Sequence, residues 1–295
     1  MTLSRLLLAP LALLLTAAAL LLATELAAAY PSRRTADLPY VAATASDFDA
    51  KRHVLDVYQP RKAAPAAGGY PVVVFIHGGS WNSGSKGFYS FIGRRLAKQG
   101  VVAVIINYRL APQVQIPQMA ADCARALAWT VQNIKAYGGD PARIFTMGHS
   151  AGGGLAALLA TDNALLARHG LPQNPVRGAL LDDPAGLDMY EYLTKLEYEG
   201  DAQYLGPWGQ DPAGWKAHSA LYKLTPAAPP FLLFIGEKTY PSILHSSRKF
   251  QVQLAALGHP AAYTVLPGKR HVPMVLQHYW QNNVIYKELL RMVNE

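Results

Sequence analysis

RIFTMGHSAGGGLAALLAT, running from Arg143 to Thr161, is the stretch on which the reading of this chain turns. Ile144-Phe145-Thr146-Met147 is a short apolar run rich in β-formers, and an Ala/Leu-rich helical stretch begins at about Ala151. Between them lies Gly148-His149-Ser150-Ala151-Gly152, with Ser150 at the apex. A strand that becomes a helix within one or two residues strains the apex backbone. It also leaves no room for side chains two residues to either side. That accounts for Gly148 and Gly152, and the strain pushes the Ser150 hydroxyl into the open. The apex sits at a helix N-terminus, where backbone N–H groups favour developing negative charge. The five-residue pattern alone is a weak signal. The strand before it and the helix after it favour a nucleophile elbow over a glycine-rich turn that happens to contain serine.

Outward from the elbow, apolar runs alternate with helical stretches. The strands expected are His53–Tyr58, ended by Pro60, then Val72–Ile76, Val101–Asn107, Val176–Leu181, Phe231–Ile235 and Ala262–Leu266. The helices expected are Ser90–Gln99, Pro117–Tyr137, Ser242–Leu257 and a closing helix Val272–Val293. Met119, Cys123, Leu127, Val131 and Ile134 fall at helical spacing, and Gly138-Gly139 ends their helix. This alternation predicts an α/β fold with a mostly parallel sheet covered on both faces. Arg61–Gly69, rich in Ala, Pro and Gly, reads as a surface loop, and residues 30–50 as a loose approach to a domain spanning 51–295. Residues 188–224 break the rhythm with Tyr190, Tyr192, Tyr198, Tyr204, Trp208, Trp215 and Tyr222. So long a connection reads as a lid or substrate wall, with a satellite packing layer as the alternative.

The 295 residues suffice for one large domain. A net charge of +8 is not gathered into any Lys/Arg run that would track a nucleic acid, so a solvated basic surface is the plainer reading. Residues 1–29 stand apart. Arg5 precedes the apolar run Leu6–Ala23, and Ala27-Ala28-Ala29 forms a small-x-small pattern, so a signal peptide cleaved after Ala29 is expected, with export to periplasm or medium. The run is long for a signal core, which keeps open an uncleaved membrane tether through residues 6–24. The single cysteine, Cys123, excludes an internal disulfide and reads as a buried structural thiol.

After the strand Val72–Ile76 comes His77-Gly78-Gly79-Ser80-Trp81. Acyl transfer through serine creates an oxyanion that needs preorganised N–H donors, and glycines let a backbone approach the reacting carbon. Gly78 and Gly79, with the Ala151 N–H, would form that hole. Gly79 to Lys86 (GSWNSGSK) approaches a phosphate loop, but its Lys is displaced by one position and no Ser/Thr follows. No His-Glu-x-x-His and no paired-cysteine spacing occurs, so neither a metal nor another cofactor is expected.

Together HGGSW (77–81), NYRLAP (107–112), YGGDPARIF (137–145), GHSAGG (148–153) and LPGKRH (266–271) resemble the carboxylesterase/lipase branch of the α/β-hydrolases, including feruloyl-esterase-like and arylformamidase-like members. The motifs fall in family order over roughly residues 50–295. The resemblance implies the α/β-hydrolase fold, with 188–224 as an aromatic-rich, lid-like insertion. It also implies a serine carboxylesterase that works through an acyl-enzyme, while the aromatic stretch 188–224 suggests a walled pocket for small or aromatic acyl groups. The resemblance places the base at His271, after the last strand and a Pro-Gly turn. His77 and His149 belong to the oxyanion and elbow motifs, while His53, His169, His218, His245, His259 and His278 have no motif around them.

The third member of the triad departs from the family pattern. The acid usually follows the strand Phe231–Ile235 as Gly-x-x-Asp, but here the turn is Gly236-Glu237-Lys238-Thr239. Thr239 cannot hold an imidazolium by charge. Asp183, in Leu181-Asp182-Asp183-Pro184-Ala185-Gly186, resembles the turn from which pancreatic-type lipases draw their acid. Glu237 is the second candidate, and Asp182, or no carboxylate, is the remainder. Trp81, Trp208 and Trp215 are the expected substrate-binding residues. An amide hydrolase of the arylformamidase kind and a non-catalytic binding protein on the same fold are the rival readings, the second motivated by the missing Asp at 239.

Overall fold

Val72, Val74 and Ile76 face one way and Val73 and Phe75 the other, and all five are inaccessible to solvent. A strand alternates its side chains between two faces, so a run this apolar can be satisfied only between two layers of helix. A computed structural model describes residues 32–62, 64, 68–197, 199–259 and 262–295. The signal-peptide or anchor segment 1–29 and Tyr198 lie outside the described residues.

Eight strands form one sheet: β1 (Ser32–Pro39), β2 (Val54–Pro60), β3 (Tyr70–Ile76), β4 (Val102–Ile106), β5 (Gly139–His149), β6 (Val176–Asp182), β7 (Phe231–Gly236) and β8 (Ala262–Leu266). Their order is β1-β2-β4-β3-β5-β6-β7-β8, with β2 antiparallel to both its neighbours and every other pair parallel. The main helices are α1 (Ser90–Lys98), α2 (Ile116–Asn133), α3 (Ala151–Thr161), α4 (Pro241–Ala256) and α5 (Val284–Asn294). Apolar residues of α1 and α5 cover the face of Val73 and Phe75, while those of α2, α3 and α4 cover the face of Val72 and Val74. Every residue of α3 is buried, which its all-round apolar sequence demands. From β3 the chain passes to β4 on one side and returns to β5 on the other. The carboxyl ends of β3 and β5 therefore flank the point where the winding reverses, which is where open α/β sheets leave a crevice.

Three expectations need correction. Residues 32–39 are not a loose approach; they form the edge strand β1. No apolar alternation marks it because an edge strand exposed along most of its length requires none. Its anchor is ionic. The fully buried Asp56 of β2 accepts from Arg34 Nε (3.0 Å) and Arg34 Nη2 (2.6 Å), from the Asp37 N–H (3.0 Å), and from Lys86 Nζ (2.5 Å). Lys86 also reaches Asp37, so the ammonium of the phosphate-loop-like stretch is committed to two carboxylates. The closing helix is broken into His271–Leu276, a 3-10 turn at Gln277–Tyr279, and α5. Asn283 causes the restart, its side chain accepting from Tyr286 N at 2.9 Å as an N-cap. Lastly, α2 ends at Asn133, and Ile134–Tyr137 tightens into a 3-10 turn before the left-handed Gly138.

Removing Asp56 would leave the buried Lys86 ammonium with the exposed Asp37 as its one remaining carboxylate among the described residues. Asp56→Ala should lower the unfolding free energy by about 3–5 kcal/mol, read from urea denaturation, whereas Asp56→Leu combined with Lys86→Met should recover most of that loss.

Candidate active site

Ser150 adopts φ 56° and ψ −127°, a conformation that non-glycine residues seldom take. Its neighbours enforce it. A Cβ on Gly148 would lie 2.2 Å from the Gly152 carbonyl oxygen, and one on Gly152 would lie 2.1 Å from that of Ile76. The apex is pinned by its own backbone: Ser150 N–H donates to Asp182 O (3.2 Å), and Ser150 O accepts from Gly153 N and Ala185 N (both 2.9 Å).

The side chains that meet at this apex come from the carboxyl ends of separate strands. His271 Nε2 lies 2.8 Å from Ser150 Oγ, and His271 Nδ1 lies 2.5 Å from Asp183 Oδ2. Asp183 is fully buried, and its Oδ1 accepts from Gly236 N at 2.9 Å. Thr239 Oγ1 donates to Asp183 Oδ2 and stands 3.5 Å from His271 Nδ1. Thr239 thus supports a carboxylate supplied from β6. Glu237 faces the other side of its turn, where it accepts from Gly268 N at 2.7 Å and makes no contact with His271. Asp182 alternates away from Asp183, as successive strand residues must, and pairs with His278 Nε2 at 3.1 Å in the interior.

Gly78 and Gly79 continue β3 across the serine. A Cβ on Gly78 would come within 3.0 Å of Ser150 Cβ, and Gly79 has φ 125°. Ala151 is the first residue of α3, so its N–H has no acceptor within the helix. Asn107 and Tyr108 brace this loop. Asn107 Oδ1 accepts from Lys86 N (2.6 Å), Tyr108 OH donates to His77 O (3.0 Å), and the Tyr108 ring stacks on His77 at 4.5 Å. Asn107 and Tyr108 open the NYRLAP stretch, which marks them as part of a motif but does not tell that they brace this loop.

Two further imidazoles, His77 and His149, sit at the carboxyl ends of β3 and β5. Burial pushes the His77 imidazole down to about 4, against the pull of the Gly78 carbonyl that its Nδ1 contacts at 2.8 Å. Burial likewise lowers His149 to about 4, opposed mainly by Asp182, while its Nε2 reaches His271 O at 3.1 Å.

A cavity of about 300 Å³ opens over Ser150 and His271. Trp81, Met189, Tyr192, Tyr204, Tyr240 and Ile243 give it its apolar wall. Residues 188–224 therefore supply part of the wall, as expected, but through Tyr192 and Tyr204. Trp208 and Trp215 do not line it. Trp208 packs edge-on behind Trp81 at 5.3 Å, and Trp215 is buried with its Nε1 donating to Gly209 O at 3.1 Å. Rings this large are spent anchoring the insertion to the domain beneath it.

Among the described residues, one group has the spacing of metal ligands: Asp47, His53 and Asp122. Its carboxylates already face two guanidinium groups, with Arg109 Nη2 at 2.8 Å from Asp122 and Arg125 Nη2 at 2.8 Å from Asp47. Burial raises the Asp122 carboxyl, but bonding to His53 and Arg109 outweighs it and the result is lowered to about 2. An ion pair network accounts for this cluster.

Sheet order, elbow and the convergence of three strand ends define the α/β-hydrolase fold. The chain belongs to the BD-FAE family, whose model matches residues 55–254. It is 32% identical over 248 residues to the isoprenylcysteine alpha-carbonyl methylesterase ICME of Arabidopsis thaliana, covering 78% of this chain and 56% of that protein. It is 30% identical over 257 residues to esterase LipQ of Mycobacterium tuberculosis, covering 82% and 58%. The chain thus spans a little over half the length of these relatives. The crystal structure of esterase B from Lactobacillus Rhamnosis superposes with a TM-score of 0.73 at 22% identity, covering 97% of this chain and 94% of that one.

His77 and His149 have folded values near 4 against 6.5 for free imidazole, so the unfolded chain holds more protons between those values. Stability should be complete above about pH 6.5 and fall as pH drops toward 4, by up to about 2.7 kcal/mol per pH unit for two sites. Urea denaturation across that window measures it; a flat profile would mean that both imidazoles are charged in the folded state.

Proposed function

We propose that this chain hydrolyses carboxylic esters through an acyl-enzyme, with Ser150 as nucleophile, His271 as general base and Asp183 as the acid that orients it. The observation that carries this reading is the unbroken line from Ser150 Oγ through His271 to a buried Asp183. Ser150 Oγ attacks the ester carbonyl carbon as its proton passes to His271 Nε2. Asp183 fixes the Nδ1–H tautomer and balances the imidazolium charge. The N–H groups of Gly78, Gly79 and Ala151 receive the oxyanion. His271 then gives its proton to the leaving alcohol, and water, activated by the same imidazole, releases the acid. The methylesterase and esterase names of the relatives support the reaction class.

The substrate we propose is a small-molecule ester with a small or aromatic acyl group. The limited cavity and the rings of Trp81, Tyr192 and Tyr204 support it. We also infer export directed by residues 1–29, on the strength of Arg5, the apolar run and the Ala27-Ala28-Ala29 pattern. N-terminal sequencing of the exported protein tests this; retention of Leu6–Ala23 would make the segment a tether.

Hydrolysis of p-nitrophenyl acetate, butyrate and octanoate tests the reaction. Ser150→Ala should abolish turnover. Asp183→Asn should lower kcat by about 10³–10⁴ while circular dichroism stays unchanged, and Glu237→Gln should leave it within about twofold. Near-wild-type turnover in Asp183→Asn would remove Asp183 from the triad. Trp81→Ala should shift preference toward the octanoate; an unchanged order of the three esters would take Trp81 out of the acyl pocket.

A further inference from the structure

The four most exposed large apolar side chains among the described residues are Phe88 (74%), Trp280 (64%), Tyr240 (59%) and Val272 (58%). They are not scattered. Tyr240 borders the cavity, and its ring stands edge-on to His271 at 5.1 Å. Val272 follows His271 directly, and the exposed Leu276 lies one helical turn further on. Phe88 sits on the 3-10 turn Lys86–Tyr89 that closes the glycine loop. A ladder of rings, Tyr89–Phe91–Tyr279–Trp280, with centroids 6.4, 4.4 and 6.4 Å apart, joins that turn to Trp280.

The stretch 271–280 has two sides. Met274, Val275, Gln277 and His278 are buried, while Val272, Leu276 and Trp280 face outward, and no charged group breaks the outward side. Apolar surface concentrated in this way marks a contact site. Beside it lie Lys238, Lys269 and Arg270, on two turns joined by Lys238 N–H donating to Lys269 O at 2.8 Å. None of the three cations is ion-paired among the described residues, and the one acid on these turns, Glu237, accepts from Gly268 N.

We propose that this face docks on an anionic phospholipid bilayer and holds the mouth of the cavity against the membrane surface. Indole and phenol rings suit the headgroup boundary, where an apolar body and a polar edge are both satisfied. Val272, Leu276 and Phe88 supply shallow insertion, and the three cations match lipid phosphates. The charge distribution favours this occupant over a protein partner or a second copy, because cations and aromatic groups border the face with one engaged acid between them. The docking does not depend on the ester-hydrolase reading.

The apolar run Leu6–Ala23 gives the full chain a separate means of reaching a bilayer, so bulk binding is not the readout. The full chain, as wild type and Trp280→Phe, is mixed with vesicles of phosphatidylcholine, or of phosphatidylcholine with phosphatidylglycerol, carrying brominated acyl chains. The difference in quenched tryptophan emission between the two proteins reports Trp280 alone. That component should be quenched in the anionic vesicles and reduced by high salt. Val272→Asp with Leu276→Asp should weaken this quenching at least about tenfold in apparent affinity, and Lys238→Gln or Arg270→Gln about fivefold each. A Trp280 component unquenched in both vesicles would overturn the proposal. So would equal quenching in phosphatidylcholine alone, or a dimer in sedimentation that Leu276→Asp dissociates. Since no reaction is followed, a failure here is separate from a failure of esterase activity.

Discussion

The closest backbone approach in the site is that of α3 to the ends of β3 and β5. Gly152 passes so near the Ile76 carbonyl that a single Cβ would overlap it, and Gly148 and Gly152 face one another under the same restriction. This contact holds Ser150 at φ 56°, because the helix axis and the strand end leave the apex no relaxed path between them. It also sets the glycine loop, since the chain leaving Ile76 must cross the serine at the distance that α3 allows. The apolar burial of α3 on all sides supplies the hold, and the strain is spread over a rigid core.

Given that fixed serine, the imidazole must come from the far end of the sheet, and the acid must meet it from whichever strand end lies beneath. Asp182 pairs in register with Phe234, so Asp183 lies level with the turn that opens at Gly236. A carboxylate leaving β6 therefore arrives where one leaving β7 would, and Gly236 N and Thr239 Oγ1 bond to it there. The Asp absent at 239 is replaced by position, with the Thr hydroxyl converted from a missing acid into a donor. Asp183 takes φ 50° to make the turn, a second strained corner in the same few ångströms.

What could be read in advance follows from which interactions leave a local pattern. Strand and helix alternation, the elbow and the glycine loop are written in adjacent residues, and Val72–Ile76 and Ala262–Leu266 were readable almost to the residue. Edge strand β1 was not, because its stability comes from Asp56 and Lys86, at a distance in sequence from Arg34 and Asp37. The break at Asn283 was written, as a good N-cap residue, but the apolar spacing of Val284–Val293 continues that of Val272–Leu276 and conceals it. The choice among Asp183, Glu237 and Asp182 required the register of β6 against β7, which no spacing encodes. Trp208 and Trp215 drew attention as aromatic residues in an insertion, yet the rings from it that reach the cavity are the smaller Tyr192 and Tyr204, whose polar tips suit a wall that also carries Asp188, Glu199 and Asp201.

The surroundings of His271 also explain why so many histidines can crowd one site. The His149 ring lies 4.7 Å from that of His271, and the buried His77 opens the glycine loop directly after β3. If either carried a positive charge, it would disfavour a second positive charge on the nearby His271 imidazole. Burial prevents this by holding both neutral at neutral pH. Neutrality also gives each ring one fixed donor, and a backbone carbonyl lies within reach of each: that of Gly78 for His77 Nδ1, and that of His271 itself for His149 Nε2. The two buried rings thus act as uncharged struts, leaving His271 as the imidazole aligned between a serine hydroxyl and a carboxylate. The low dielectric that keeps the struts neutral is the same one that strengthens the pairing of Asp183 with His271.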